Sequence, residues 1–420
     1  MSFFQIRKSE KNNAINRDVE VTETERIEDW IPQFAEEMNS EMTAFFGGAE
    51  DTRVRLVLQA IANCYGKMAV IVIHNNKSVL NGIQNFYGMY PEMCDYYQKS
   101  GINVGMCNID NVNLNYEPLY GLDEDGVVDA IYPKTTQENY YDGQRSLCAE
   151  ALRSYCKILQ LNGEIDIDGL IYLVNLDIEE LEKYEMQGMS EAERIAVVKI
   201  LTKEGVYNRV RADINAFAGE LRNVIWREKE GDLSDVSMVK AVQNKAILTV
   251  QVPSNKSVLN YLATEVAYMK NKGMKFLLVL DSVALSQSLF NTDELLKAPR
   301  LSFSTVLSAS TIESMFSDIE DRRYILSQVF QLIVLNCGNA AMAEVYSELI
   351  GKYEKEKVST RMGQHKEDTS FFGGRDKGTD VHMELEYRIM PDEFCMLREG
   401  AVLVRQTGVA KVVVKTGWLD

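Results

Sequence analysis

The sequence predicts an α/β protein: a parallel sheet with a mixed edge, interrupted by an inserted all-α domain. Three observations predict it. Ala69-Val70-Ile71-Val72-Ile73 and Phe276-Leu277-Leu278-Val279-Leu280 are unbroken apolar runs, as in parallel strands covered on both faces. Strand-like and helix-like segments alternate over 41–135 and again over 241–420, as βαβ units require. Between them, 136–240 reads as helix throughout.

Residues 1–40 read as an acidic arm with one weak amphipathic stretch, Ile27, Trp30, Ile31 and Phe34. That stretch suits a short helix packed on a neighbour or on its own domain. Thr43–Phe46 reads as the first strand, and Val54, Val57, Leu58 and Ile61 recur behind it at helical spacing. Ile102–Cys107 reads as a third strand and 115–119 as the loop after it. In the helical stretch, Leu147, Ala151, Leu152, Tyr155, Ile158 and Leu159 mark one apolar face. Ser190-Glu191-Ala192-Glu193 is a capping box, and 206–226 is a further amphipathic helix. Strands are then expected at Ala246–Val250, Phe276–Leu280, Ser304–Leu307 and Leu332–Leu335. Asn339 caps a helix that Gly351 ends. A polar, mobile loop is expected over about 352–380, with the charge run at 352–357 as an exposed helix end, and two short strands over 401–405 and 411–415 close the chain.

At 420 residues the chain is long enough for two or three compact units. Its seven cysteines are scattered without a CxxC pair, which favours reduced thiols over a disulfide framework or a zinc site. Three histidines far apart in sequence argue against a histidine-based metal or triad site. The N-terminus turns polar at once and no apolar run approaches the roughly 20 residues of a bilayer span. A cytoplasmic location is expected, with recruitment to the inner face of the membrane left to partners. The net charge is −17, and residues 18–50 carry ten acids against the single base Arg26. That balance disfavours free DNA binding, which needs several Lys/Arg phosphate contacts, and it serves solubility equally well.

Two segments stand where such a sheet would hold nucleotide. Phe45-Phe46-Gly47-Gly48-Ala49-Glu50-Asp51-Thr52-Arg53 turns from strand to helix, where a working P-loop reads G-x-x-x-x-G-K-[ST]. Gly47, Gly48, Thr52 and Arg53 are the residues left to bind phosphate or Mg²⁺, and the loop lysine is missing. A carboxylate ~4 Å from a phosphate charge costs on the order of 4 kcal/mol at an effective dielectric of ~20. Glu50 and Asp51 together would therefore cancel micromolar binding, worth about 8 kcal/mol. The second segment, Phe276–Ser282, ends in Asp281 alone, followed by Ser282 where a second acid would polarise water. Asp281 is either a vestigial Mg²⁺ ligand or a buried acid capping a neighbouring turn. Elsewhere, Asp321-Arg322-Arg323 reads as a solvated charge face rather than an arginine finger, and Met186, Met189, Met269 and Met274 as gap-filling residues.

The order of these pieces resembles the conjugative coupling proteins, the TraG/TraD-type type IV secretion ATPases, relatives of the FtsK and HerA P-loop motors. Gly47–Arg53 stands for that family's glycine-rich Lys-Thr-Arg loop, two residues shorter and without the lysine. Asn75-Asn76-Lys77-Ser78 stands for its Asp-Pro-Lys-Gly turn, and 115–119 for its Tyr-Asn-Pro loop. Asp281-Ser282-Val283 replaces Asp-Glu-Phe, Val306-Leu307-Ser308-Ala309 replaces the strand whose Gln senses nucleotide, and Met390-Pro391-Asp392-Glu393 resembles its Pro-Asp-Glu turn.

The resemblance implies a RecA-like P-loop NTPase fold built from 41–135 and 241–420, with 136–240 as the inserted all-α domain. It also implies a non-catalytic pseudo-ATPase acting as a protein-binding scaffold or subunit in a conjugation or type IV secretion assembly. Its partners would be a catalytically competent paralogue or other secretion components, without membrane insertion, and with no cofactor beyond a vestigial ATP/Mg site. Relatives place nucleotide between subunits, so the chain alone is expected to be a monomer or small oligomer. Two alternatives stand beside this reading: an active DNA-translocating ATPase with an atypical P-loop, and a soluble adaptor that recruits a relaxase or effector through its helical domain.

Overall fold

The computed structural model describes residues 41–64, 67–75, 78–79, 81–82, 105–107, 114–133, 142–222, 225, 234–252, 256–298, 303–362, 377–387, 389–396, 400–406 and 410–416. The acidic arm over 1–40, the start of the expected third strand and part of the Asn75–Ser78 turn lie outside the described residues. The chain divides into two compact units at 329/330, a boundary that falls inside the expected 241–420 segment.

In the first unit β1 (Met42–Phe46), α1 (Glu50–Cys64) and β2 (Ala69–His74) are followed by β3 (Gly105–Cys107) and β4 (Leu114–Tyr116). Next come α2 (Glu124–Ile131), α3 (Asp142–Asn162), α4 (Ile167–Asn175), and α5 (Ile178–Glu180), which runs into a π-helical turn over Leu181–Glu185. Helices α6 (Glu191–Leu201) and α7 (Val206–Leu221) complete the insertion. The chain then returns through β5 (Ser234–Val236), α8 (Met238–Gln243), β6 (Ile247–Gln251), α9 (Lys256–Asn271), β7 (Phe276–Asp281) and β8 (Ser304–Ala309). Short helices α10 (Ile312–Met315) and α11 (Ile319–Gln328) end the unit.

Six strands of this unit form one parallel sheet in the order β1-β8-β7-β2-β6-β3. The two apolar runs read from the sequence are the adjacent strands β2 and β7, with Ala69 opposite Phe276 and Ile73 opposite Leu280. Every residue of β1, β2, β7 and β8 is buried, which is why these segments lack polar alternation. Each Val, Leu or Ile side chain so buried contributes roughly 1.5–3 kcal/mol. β4 and β5 pair in parallel as a separate two-stranded ribbon at the entry to and exit from the helical insertion.

The helices of the insertion start where short polar side chains satisfy free N–H groups. Asp123, Asp166 and Asp177 cap α2, α4 and α5, and Ser190 with Glu193 forms the expected capping box on α6. Leu152, Tyr155, Ile158, Leu170, Leu173, Val210 and Ile214 fill the space between the helices. Met186 and Met269 are fully buried as gap fillers, while Met189 and Met274 are half-buried. No helix among the described residues is long and apolar enough to cross a membrane.

In the second unit β12 (Gly400–Gln406) runs antiparallel to both β9 (Val329–Val334) and β13 (Ala410–Thr416). Helix α12 (Ala340–Ile350) is capped by Asn339, whose Oδ1 accepts the Ala341 N–H at 3.0 Å, and it ends at Gly351 with φ 95°. Tyr346 packs on Phe394 of α13 (Pro391–Met396), ring centroids 5.9 Å apart.

The polar loop expected over 352–380 is corrected at 352–362 and 377–380, while 363–376 lie outside the described residues. β10 (Lys352–Met362) and β11 (Lys377–Tyr387) form a long antiparallel pair there, so the charge run at 352–357 is strand, not a helix end. The physical reason is visible in the register. In the backbone register Lys355 is level with Glu384, Val358 with Val381 and Thr360 with Thr379, residue types that suit paired strands without forming an apolar stripe in the sequence.

Candidate functional site

Open α/β sheets present ligand sites beyond the carboxyl ends of their strands. Here those ends carry a row of residues in register across five adjacent strands: Gln251, His74, Asp281, Ser308 and Phe45. Residues level with one another in a parallel sheet project on the same face. His74, Asp281 and Ser308 are all buried, with Asp281 2% exposed.

The Gly47-Gly48 turn follows β1 at the end of this row. Both glycines have positive φ, 88° and 63°, which side chains rarely tolerate and which lets β1 turn sharply into α1. The Gly47 N–H donates to the carbonyl oxygens of Ala309 at 3.3 Å and Ser310 at 3.1 Å, so it is held by the end of β8. Glu50 and Asp51 are exposed in the first turn of α1, where negative charge suits the helix dipole. Thr52 is half-buried behind them.

Arg53 projects back under the loop. Its Nη1 donates to the carbonyl oxygens of Gly47 at 2.9 Å and Gly48 at 2.8 Å, and the residue is 6% exposed. Burial pushes the guanidinium below its usual pKa, with Asp281 and Glu50 pulling the other way. Burial likewise pushes the Asp281 carboxyl up, opposed by the Ser308 hydroxyl, Arg53 and Ser282. Arg53 Nε and Asp281 Oδ2 are buried without a hydrogen-bond partner.

A phosphate-binding loop works by aiming backbone N–H groups at the anion. In this loop a cation of the chain itself is bonded to two successive carbonyls, and one of the N–H groups is committed to β8. The residues do not fit Mg-ATP. Asp281 is the only acid of the sheet row, and a divalent cation beside it would stand near the Arg53 charge. Among the described residues no group of three or more His, Cys, Asp or Glu side chains is arranged to hold a metal ion.

Ser282, where a second acid was sought, has φ 56° and donates its N–H to the Ser308 carbonyl at 2.7 Å. Such left-handed backbone in a non-glycine residue is uncommon and clusters at functional sites. Of the residues read from sequence, the structure brings Gly47, Gly48, Arg53 and Asp281 together, and Thr52 follows on the same turn of α1. His74 was missed. Its signal was a polar residue closing a β-branched strand, as Asp281 closes β7.

The Asp321-Arg322-Arg323 segment differs from the solvated face expected. Lys297 Nζ reaches Asp321 at 2.5 Å and Asn291 Nδ2 donates to it at 2.6 Å, while Arg322 bonds Glu313 at 2.7 Å. Only Arg323, paired with Glu320 at 3.2 Å, is mostly exposed. The first two side chains pin the 282–298 connection and α10 to α11.

No protein-family profile and no curated protein matches the sequence. Solved structures do. The plasmid coupling protein TrwB in complex with ADP and Mg²⁺ superposes with TM-score 0.51 at 10% identity, over 98% of this chain and 97% of that one. The unbound bacterial conjugative coupling protein TrwBdeltaN70 gives TM-score 0.50 at 12% identity, over 93% of this chain and 87% of that one. TrwB with a non-hydrolysable GTP analogue, GDPNP, gives TM-score 0.50 at 12% identity, over 96% and 89%. The chain therefore has the fold of the conjugative coupling proteins, a parallel P-loop NTPase sheet interrupted by an all-α insertion.

Proposed function

We propose that the chain is a pseudo-ATPase of the coupling-protein type, a protein-binding scaffold or subunit in a conjugation or type IV secretion assembly. The observation that carries this reading is the buried Arg53 guanidinium bonded to the Gly47 and Gly48 carbonyls, which commits the loop's remaining cation to the chain itself. Three further features support it. The loop lysine is absent, Glu50 and Asp51 stand at the lip, and Ser282 replaces the acid that would activate water. Its partners are proteins, among them a catalytically competent paralogue of the same fold.

The test is an ATPase assay of the intact chain and of Asp281→Ala, with the variant's folding checked by circular dichroism. The proposal expects no turnover above background in either. Turnover in the parent that Asp281→Ala abolishes would overturn it in favour of a motor with an atypical loop.

A further inference from the structure

The chain enters the helical insertion through β4 and leaves it through β5, and Tyr116 at the end of β4 lies opposite Val236 at the end of β5. One carboxyl group ties this neck to the sheet domain. Glu265, on α9, is 1% exposed. Its Oε2 is hydrogen-bonded to the hydroxyls of Tyr116 and, at 2.9 Å, Tyr261. Its Oε1 accepts the Val239 N–H at 3.3 Å, in the first turn of α8 just past β5. The Tyr261 hydroxyl also meets the Pro118 carbonyl, just past β4. The cluster thus grips the chain on both sides of the insertion.

The proton count of this cluster is decisive. Tyr261 has one O–H proton and faces two acceptors, the Pro118 carbonyl and Glu265 Oε2. When that proton goes to Pro118, the contact with Glu265 requires a proton on the carboxyl, donated to the Tyr261 oxygen. Tyr116 then donates to the same carboxyl and Val239 to its other oxygen, and every contact is satisfied. With an ionised carboxylate, Glu265 keeps Tyr116 and Val239 as donors, and the single Tyr261 proton is drawn to the charged acceptor, so the buried Pro118 carbonyl loses the Tyr261 donor.

We propose that the neck of the insertion is a proton-operated clasp, closed while Glu265 is protonated and loosened at Pro118 when the carboxyl ionises. Of the other charged and titratable groups on the surrounding elements, the Glu117 carboxyl acts on Tyr261 and raises its pKa, as Tyr116 does. Lys240 of α8 reaches Glu164 at 3.0 Å and lies over the Tyr120 ring. Glu117 Oε1 accepts the Ile167 N–H at 3.0 Å, and Tyr268 of α9 accepts the Asp123 N–H at 3.3 Å. Burial pushes Glu265 up to about 7 against the pull of its hydrogen bonds, and Tyr261 well above its usual range, so the carboxyl is the group that titrates. A carboxyl raised in the fold contributes stability that is complete below 4.5 and is lost as pH rises through about 7. The clasp therefore opens on the alkaline side.

Hydrogen exchange of the intact chain at about pH 6 and about pH 8, corrected for intrinsic rates, tests this. Amides over 114–120 and 234–243 are expected to exchange roughly tenfold faster at the higher pH, the effect of about 1.4 kcal/mol. Glu265→Gln supplies amide hydrogens to the Tyr261 and Tyr116 oxygens and keeps an acceptor for the Val239 N–H, and it cannot ionise, so both segments should stay slow at both pH values. Tyr261→Phe removes the shared hydroxyl, so both should be fast at both, which decides the matter if the Gln variant does not fold. Equal parent exchange at the two pH values overturns the clasp. So does the same pH step in either variant, or a parent change that extends equally to β2 and β7.

Discussion

The Arg53 guanidinium donates to the carbonyl oxygens of Gly47 and Gly48 from one nitrogen, Nη1, with the Asp281 carboxyl as its buried counter-charge. A P-loop sheet thereby satisfies its own phosphate loop. Removing the guanidinium leaves the Gly47 and Gly48 carbonyls without that charged donor, at a cost of roughly 1.5–3 kcal/mol. Arg53→Ala should accordingly lower stability by about that much in urea unfolding, and Arg53→Lys should recover only part of it, because a shorter, flexible stem does not hold the ammonium at the place of Nη1. An Arg53→Ala protein as stable as the parent would show that the contact does not hold the loop.

Ser282 carries a backbone strain that its own site does not need if no chemistry is done there. Ser282→Gly relieves the left-handed φ of 56° and should raise stability by about 1 kcal/mol, read from the urea midpoint. Ser282→Glu, which puts an acid at that place, should confer no ATPase activity, because the loop still lacks a lysine and Arg53 stays bonded to its carbonyls. A loss of stability in the glycine variant would show that the serine side chain contributes more than the strain costs.

The pH dependence of Asp281 has a definite sign. Burial raises its folded pKa above the ordinary value of 3.8, so the stability it contributes is complete below that value and is lost as pH rises through the folded pKa. Asp281→Asn cannot ionise. Stability of the Asn variant relative to the parent should therefore improve as pH rises from about 4 towards neutrality. A difference that stays flat, or that moves the other way, would mean that Arg53 holds the carboxylate ionised throughout.

The sheet was legible in the sequence because its strands are buried on both faces. A run such as Ala69–Ile73 has no other stable home, and Asp281 at the end of its neighbour stood out against it. The helical insertion was legible from its caps, Ser190 with Glu193 above all. Hidden features were those whose meaning depends on partners distant in the chain. Arg53 read as a group left to bind phosphate, and only the turn at Gly47-Gly48 decides that its Nη1 meets two carbonyls. Glu265 reads as one more polar helix residue until Tyr116, 149 residues away, closes on it. The β10–β11 pair was missed because its strands lack the apolar alternation that marks a half-buried strand.

Oligomeric state tests the pseudo-ATPase proposal. If the chain holds no nucleotide, none is there to bridge two copies. Light scattering of the chain alone should report a monomer or small oligomer, unchanged by Mg-ATP. A stable hexamer without an added partner would contradict this.

The most direct measurement is a calorimetric titration of the intact chain with Mg-ATP. Two carboxylates at the lip, no lysine and an arginine already committed to the loop carbonyls predict no binding tighter than roughly millimolar. Neutralising the lip with Glu50→Gln and Asp51→Asn should leave that result unchanged. Micromolar affinity in the parent chain would contradict the central claim, because it would mean that Arg53 vacates the loop and the site is a working nucleotide pocket.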